Sequence, residues 1–592
     1  MSRRALAASL AAAWLSGCTA GPSASPPSPG PVPGAGRVVA ISFDGLGGVR
    51  LNELLAAGTL DAGGFAAFAA RGVLAGRALD VTPSLTPVAH ISAITGAPPA
   101  KTGIVANQFR EPGSPFGTQT SGFAASIGSE TLWEAARRQG RRVGVITYPG
   151  ADAATEGRRG DFGLVWPEKP ARDSAFVSVP GDAWTDAAAA PKSFSPPRAA
   201  RVAVQTPAGA ATLRLVATDT TDDATANYDL VFVSREDGAA PTRLGAVAVH
   251  GWFAISLPGA RGSFMAWCRL EELDPSLARA ELYVGAFNAV PGYPEDYRRR
   301  LEEAIGGWPG VPDYAFVRPP RGDYAAHEEQ AARLSEYLTK AILFTIRSER
   351  FDLLVGYQPL VDEIEHALEP GPYGGSKEAV VRAFRTADRA AAAILAALGP
   401  RDSFLFFSDH GIVPLEAGLN IEKYLLEKGW TPVGPKGPRD GDRRVQICAT
   451  SGIAHVYLDP ALAPAAHAAA AAALLADLQG LGQLKDGLVD EIVPRADLAR
   501  LGLDHPRSGD VVVLLKPGTD FWRGGAQILG KPGNRGGHGY RAAYPILDAS
   551  FGMIGPGIAP ARPETVSLLE VAARAANALG IDPPRGAAPA GR

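Results

Sequence analysis

Cysteine is scarce. The 592 residues hold three, Cys18, Cys268 and Cys448, and none stands near another. A thiolate metal clamp needs closely spaced cysteines, so neither a cysteine-based metal site nor a cysteine nucleophile has support. Concentrated positive charge is missing as well: the formal net charge is −3 and no Lys/Arg block occurs. Binding along a nucleic-acid backbone requires clustered cations, so no nucleic-acid polymer is expected as a partner. Beyond the N-terminus, no stretch is long and apolar enough to cross a bilayer. What remains, 46% hydrophobic and 20% charged residues, is the composition of a soluble globular chain. Its length is too great for one core and suits two to four domains.

The N-terminus reads as a targeting segment. Arg3 and Arg4 precede an apolar run over residues 5–15, too short to span a bilayer. It ends in Leu15-Ser16-Gly17-Cys18, which resembles the lipobox of bacterial lipoproteins. That resemblance implies a signal peptide over residues 1–18 and a lipid on Cys18. It also implies a lipid-anchored place in a bacterial cell envelope, on the periplasmic or outer-membrane face. The alternative is a plain secretory signal that contains a cysteine. Residues 19–36, rich in Pro, Gly, Ser and Ala, read as a flexible tether. Cys268 and Cys448 could pair in an oxidising compartment, but two buried thiols packed as small apolar residues are the expectation.

One stretch organises the rest: VTPSLTPVAHISAITGAPPAKTGIVAN, residues 81–107. Thr86 precedes Pro87, and Gly96 follows an apolar run. Proline suits the first position of a helix, threonine suits its N-cap, and glycine suits its end. Thr86 is therefore expected as the N-cap of a short helix, with its hydroxyl among free N–H groups, a place for a phosphate or other anion. An ordinary capping threonine is the plain alternative.

Along the chain, residues 37–43 (RVVAISF) form a buried strand that stops at Asp44-Gly45. Residues 129–139 are expected to form a helix capped by Ser129, and 142–147 another strand. The alternation indicates a doubly wound α/β core, with its first part over residues 37–184. Residues 185–290 are short, β-rich and turn-separated, as in a β-sandwich insert. Asp219, Asp222 and Asp223 within it read as a solvated turn, since calcium-loop spacing is absent. The core resumes over 291–414 with long helices and the strand FDLLVGY. Asp362 and His366 follow four apart, a spacing that would suit two ligands of one metal on one helical face. The strand 404–407 ends at Asp409-His410-Gly411. A smaller α/β region covers 415–530, with His455 a packed core histidine. The core closes over 531–580, where His538 lies in the glycine-rich loop GNRGGHGY. Residues 581–592 read as a disordered tail.

Asp44, Asp362 with His366, and Asp409-His410 all stand at or after strand ends, which converge on one edge of a parallel sheet. His538 arrives from a loop. Three carboxylates and three imidazoles suffice for two divalent ions, and mixed N/O donors favour zinc, with manganese a second option.

In this order FDG, TPVAHISAITG, GIVAN, DEIEH, SDHG and GGHGY resemble the alkaline phosphatase superfamily. The type I phosphodiesterase/nucleotide pyrophosphatase branch is the nearest in pattern, with its bacterial phosphohydrolase/phosphomutase-like members. The resemblance covers roughly residues 37–180 and 310–575 and implies an alkaline-phosphatase-like central sheet. It implies Thr86 as nucleophile and ligand of one metal, held also by Asp44, Asp409 and His410. Asp362, His366 and His538 would hold the other. Asn107 would contact a phosphate oxygen, and Tyr357 would stand beside the leaving group. The expected activity is phosphodiester hydrolysis of a small phosphate ester through a phosphothreonine. Alternatives are a phosphomonoesterase, phosphonate hydrolase or phosphomutase on the same scaffold, or a non-catalytic surface-binding lipoprotein. The pattern departs from the family at Val88-Ala89-His90, at Thr102-Gly103 and at Glu363 and Glu365, which bears on the substrate more than on the chemistry. Oligomeric state has no signature here.

Overall fold

The computed structural model describes residues 36–167, 169–187, 191–236, 241–434, 443–484, 487–522 and 527–590. The expected signal segment, Cys18 and nearly all of the tether lie outside the described residues.

An eight-stranded sheet forms the centre. Its order is Gly292–Tyr293, Phe162–Leu164, Val143–Ile146, Leu353–Gln358, Val38–Phe43, Ser403–Phe407, Phe551–Ile554 and Val73–Leu74. The five strands from Phe162–Leu164 to Ser403–Phe407 run parallel, and the flanking pairs are antiparallel. Val38–Phe43 is buried along its whole length, as expected for a parallel strand covered on both faces. Val38 and Ala40 pack with the helix Thr86–Thr95 and the helix Val571–Leu579. Val39, Ile41 and Phe43 pack on the other side with the helices Tyr324–Ser348, Leu360–Leu368 and Lys377–Ala396. The fold is the doubly wound α/β body that the strand-helix alternation indicates.

The β-rich region is a sandwich of two sheets. One runs from Thr185–Asp186 to Thr242–Val247, and the other is built around Trp252–Gly259, Gly262–Leu273 and Arg279–Val284. Val202, Leu213, Leu215 and Val233 of one sheet meet Phe253, Ile255, Leu270 and Leu282 of the other. The sandwich starts earlier than residue 185, because Ala175–Pro180 pairs antiparallel with Arg279–Val284. That strand, AFVSVP, is partly exposed and follows directly on the core segment, so its sequence does not by itself separate it from the core.

In the smaller region, Arg444–Thr450, Ile453–Leu458, Val511–Leu515 and Val489–Pro494 form a sheet packed against the helix Pro464–Gln479. His455 sits inside it, fully buried, with Nδ1 accepting from the Gly509 N–H at 3.1 Å. Burial pushes its pKa down to about 4, so it stays neutral. Cys268 and Cys448 are separate buried free thiols.

Two local expectations differ. The helix expected from Ser129 begins at Leu132 and is capped by Thr131, which forms a reciprocal capping box with Glu134. The tail expected to be disordered is ordered as far as residue 590. Ala588 N–H donates to the Gly96 carbonyl at 2.8 Å, and Arg585 N–H to Glu130 at 2.8 Å. Its Pro and Gly content suggests a loose chain, but its backbone donors find partners on the core.

Candidate active site

The parallel strands deliver the acids to one edge. Asp44 follows Val38–Phe43 directly, and Gly45 turns the chain with φ 69°. A Cβ on Gly45 would lie 2.8 Å from Asp362 Cα, so only glycine allows this strand exit to abut the helix Leu360–Leu368. Asp409 and His410 follow the neighbouring strand Ser403–Phe407, and the Gly45 N–H donates to Asp409 Oδ1 at 3.2 Å. Asp362 and His366 lie one helical turn apart, with His366 Nε2 3.3 Å from Asp362 Oδ1. His538 reaches the same place, its Nε2 3.2 Å from His366 Nε2 and its ring stacked 3.6 Å from His410.

Thr86 begins the helix Thr86–Thr95, which is buried throughout, and Gly96 ends it in the left-handed region. The expected N-cap is corrected: Leu85 holds that position, and no side chain caps the helix. Pro87 in the first turn needs no acceptor, and the Thr86 hydroxyl is not used by its own helix. It faces His410 instead, at 3.5 Å from Nε2. Asn107 lies in a turn beside this helix start. A Cβ on Gly122, whose N–H binds the Asn107 carbonyl at 2.8 Å, would stand 3.3 Å from Pro87 Cγ. The Asn107 Oδ1 is buried and carries no hydrogen bond.

Whether a cation fits can be judged from the donor set. His366 Nδ1–H donates to the Gly536 carbonyl and His538 Nδ1–H to the Ser84 carbonyl, both at 2.8 Å. Both Nε2 atoms therefore present lone pairs, and they face each other at 3.2 Å. Asp44 Oδ1, Asp362 Oδ1 and Asp409 Oδ2 are buried without a hydrogen-bond donor. Two groups close to within 4.8 Å: Asp44, Asp409 and His410, and Asp362, His410 and His538. His410 borders both, and His366 joins the second through Asp362 and His538. Lone pairs converging in a buried place, with imidazole tautomers fixed by carbonyls, suit divalent cations.

The electrostatics agree. Burial, then Asp409 and Asp362, push the Asp44 carboxyl well above its usual range. Burial also raises Asp362, with Glu363 and Asp409 adding to it against His410. Asp409 is held well below the usual range: burial opposes ionisation, but His410 and His90 outweigh it. Burial, then His410 and His366, push His538 well down.

Two positioning residues fall outside the sequence candidates. His90, one turn after Thr86 and fully buried, donates from Nδ1 to the Thr86 carbonyl at 2.8 Å and lies 3.2 Å from Asp409 Oδ2. Its Nε2 accepts from the Ser42 hydroxyl at 2.8 Å. The spacing of four from Thr86 was the available signal. Ser84 accepts the Gly539 and Tyr540 N–H groups on its hydroxyl, both at 3.0 Å, and so ties the His538 loop to the Thr86 segment. Tyr357, expected beside a leaving group, has its hydroxyl engaged within the site: it donates to Asp44 Oδ2 at 2.6 Å. Its ring lies between His90 and Trp166. The two extra acids of the DEIEH segment separate. Glu365 is paired with Arg50, which also holds Glu369 at 2.6 Å. Glu363 accepts from the Tyr314 hydroxyl at 3.1 Å.

Comparison with known proteins decides the family. The family model described as type I phosphodiesterase / nucleotide pyrophosphatase matches residues 38–238 and 245–541. The chain belongs to that family. The match spans every acid and imidazole of the cluster, from Asp44 to His538. No curated protein sequence matches the chain. Among solved structures, human ectonucleotide pyrophosphatase/phosphodiesterase 5 is similar at TM-score 0.52 and 13% identity, covering 92% of this chain and 96% of that one. Its murine counterpart, in a threonine-to-alanine form described as inactive and in complex with AMP, is similar at TM-score 0.50 and 12% identity, covering 94% and 97%. The alkaline phosphatase PafA is similar at TM-score 0.51 and 13% identity, covering 94% and 98%. The fold is that of the alkaline phosphatase superfamily. With the family established, the protein is a phosphoester hydrolase, and the Asp/His cluster is its candidate metal centre.

Proposed function

We propose that this hydrolase cleaves phosphodiesters, with Thr86 as nucleophile and a phosphothreonine as intermediate. The observation that carries the reading is the Thr86 hydroxyl, unused by its own helix and 3.5 Å from His410 at the edge of the metal-ligand cluster. The family assignment and the inactive threonine variant of the murine relative support it.

Asp44, Asp409, His410 and the Thr86 hydroxyl would hold one divalent ion, and Asp362, His366 and His538 a second. Zinc suits these N/O donors best, with manganese next. When bound, such ions supply positive charge to the attacking and leaving oxygens. Thr86, having released its proton to solvent, attacks phosphorus in line. The Oγ1–P bond forms as the bond to the leaving oxygen breaks. Water then attacks phosphorus, the Oγ1–P bond breaks, Oγ1 regains a proton from that water and the phosphate monoester leaves. His90 holds the Thr86 carbonyl beside Asp409, fixing the attack direction. Asn107 offers its side-chain amide to a non-bridging oxygen. Tyr357 fixes the Asp44 rotamer and leaves Oδ1 for the ion.

The test compares bis-p-nitrophenyl phosphate with p-nitrophenyl phosphate in zinc- and manganese-loaded enzyme. The diester is expected to be the better substrate. Failure on both substrates with the metal present would overturn the reading, and preference for the monoester would assign a phosphomonoesterase. For the N-terminus we infer a lipid at Cys18 and a cell-envelope location. Incorporation of labelled fatty acid, lost in Cys18→Ser, is the matching test.

A further inference from the structure

The central sheet has a second edge, and it carries the opposite charge. The strand Val38–Phe43 leads to Asp44 and starts after Arg37, about 20 Å away along six residues. Parallel register sets the other strand entrances level with it: Val38 lies beside Leu353 and Ser403, and Leu353 beside Val143. Arg141, Arg142, Arg350 and Arg401 stand just before these strands, and Arg347 in the last turn of the helix Tyr324–Ser348. Contacts hold them together: Arg142 Nε donates to the Arg350 carbonyl at 2.8 Å, and Arg37 Nη1 to the Ile346 carbonyl at 2.7 Å.

The acids along this row are already paired. Asp402 holds Arg37 at 2.6 Å, Asp352 lies 3.8 Å from Arg141, and Glu349 is paired with Arg300. Among the described residues, Arg142, Arg347, Arg350 and Arg401 have no ion-pair partner, and the last three are exposed. In a chain of net charge −3, the strand entrances thus carry an excess of positive charge. The strand exits are the reverse, gathering Asp44, Asp362 and Asp409.

The N-terminal segment joins the body at this same edge. Gly36 runs so close to the Arg401 carbonyl that a Cβ there would overlap it. A cavity of about 490 Å³ opens beside it, lined by Arg401, Asn577, Met553, Ile558 and Arg574, the last paired with Glu570. Polar and apolar walls side by side suit a phosphate headgroup and the start of its acyl chains. Seventeen residues separate Cys18 from Gly36, a reach of at most roughly 60 Å. A connection of that length fixes no orientation by itself, so the charge of the body decides which face meets a membrane. We propose that the edge of strand entrances rests on anionic phospholipid headgroups, with the phosphoester site on the far side, open to water-soluble substrates. Exposed guanidinium groups near an anionic surface each add attraction that decays within a Debye length. The proposal rests on the lipid at Cys18.

Energy transfer tests it on the lipidated chain, reconstituted in phosphatidylcholine vesicles with or without phosphatidylglycerol and carrying a headgroup-labelled acceptor lipid. The donor dye is placed at Ser348→Cys on this edge, or at Gly533→Cys in the loop before His538, where a Cβ meets nothing within 4 Å. Cys268 and Cys448 are buried and stay unlabelled. On phosphatidylglycerol vesicles at low salt, transfer from position 348 is expected to exceed that from position 533. Added salt, pure phosphatidylcholine, or Arg347→Glu/Arg350→Glu/Arg401→Glu should shrink the difference. The salt and lipid arms need no variant of the arginines to fold. Equal transfer from the two positions, or an ordering indifferent to salt and lipid charge, would overturn the face. A triple variant that loses melting temperature alone, with transfer unchanged, would make these arginines helix-end charges and overturn it too. Tighter retention on a DNA duplex than on the vesicles would assign the edge to nucleic acid instead. A chain found without lipid at Cys18 would defeat the anchoring reading separately. The face is then judged by co-sedimentation of that chain with phosphatidylglycerol vesicles at low salt: binding at least about tenfold weaker in the triple variant supports it, and equal binding overturns it.

Discussion

Two groups of acids, one in the core and one in the β-sandwich, show what separates a candidate metal site from a turn. In the sandwich, Asp219 accepts from the Ser195 hydroxyl at 2.5 Å and from the Thr221 N–H and hydroxyl at 3.1 and 3.0 Å. The Ser195 bond holds its carboxyl below the usual range, and its neighbour Asp223 accepts from the Thr225 N–H. In the core, Asp44, Asp362 and Asp409 each keep a buried oxygen with no donor, and the first two are pushed up rather than down. A carboxylate satisfied by its own loop needs nothing else. Carboxylates delivered by three separate strand exits and left unsatisfied suit cations.

The comparison can be broken from either side. The largest effect is expected in Thr86→Ala, which should lose diester turnover by at least about a thousandfold while keeping its bound metal and its fold. Loss of metal or of folding along with activity would make Thr86 structural. Next, Asp44→Asn should lose bound metal, whereas Asp219→Asn should keep both metal and turnover; elemental analysis after desalting separates the two. Chelation should lower the melting temperature of the wild type. The shift corresponds to about 2.7 kcal/mol where free metal is a hundred times its dissociation constant. It should be much smaller in Asp44→Asn.

The pH dependence of the chelated protein sharpens the contrast further. Asp44 and Asp362 keep their protons to higher pH when folded than when unfolded. Above the ordinary value of 3.8 the unfolded chain therefore binds fewer protons, and stability must fall as pH rises. Asp409, with its lowered pKa, gives stability that is present above that value and lost as pH falls through its folded pKa. It contributes no slope in the upper window. Denaturant melts of chelated wild type should show the fall, and Asp44→Asn should flatten it. A smaller effect is expected at His90. His90→Ala should lower kcat by about tenfold to a hundredfold with metal retained, and His90→Asn should recover part of it.

Most of the site is legible in the sequence, because its residues sit where strand periodicity breaks. Asp44 and Asp409 each interrupt an apolar run, and a buried parallel sheet has one edge at which such exits collect. Asp362 and His366 are marked by helical spacing, and His538 by glycines that leave it little to pack against. The positioning residues are harder to read. His90 looks like one polar residue in an apolar helix, and its value comes from Ser42 and Asp409, both distant in sequence. A threonine before proline satisfies the rule for a cap equally well when the helix starts one residue earlier, so the sequence does not separate Thr86 at the cap from Thr86 in the first turn.

The central claim is that six acids and imidazoles hold two ions beside the Thr86 hydroxyl. Anomalous diffraction from zinc-loaded crystals soaked in vanadate tests it directly. The account predicts two zinc peaks, one against Asp44, Asp409 and His410 and one against Asp362, His366 and His538, with vanadium bonded to Thr86 Oγ1. Zinc bound away from these residues, or vanadate bound without contact to Thr86, would contradict it.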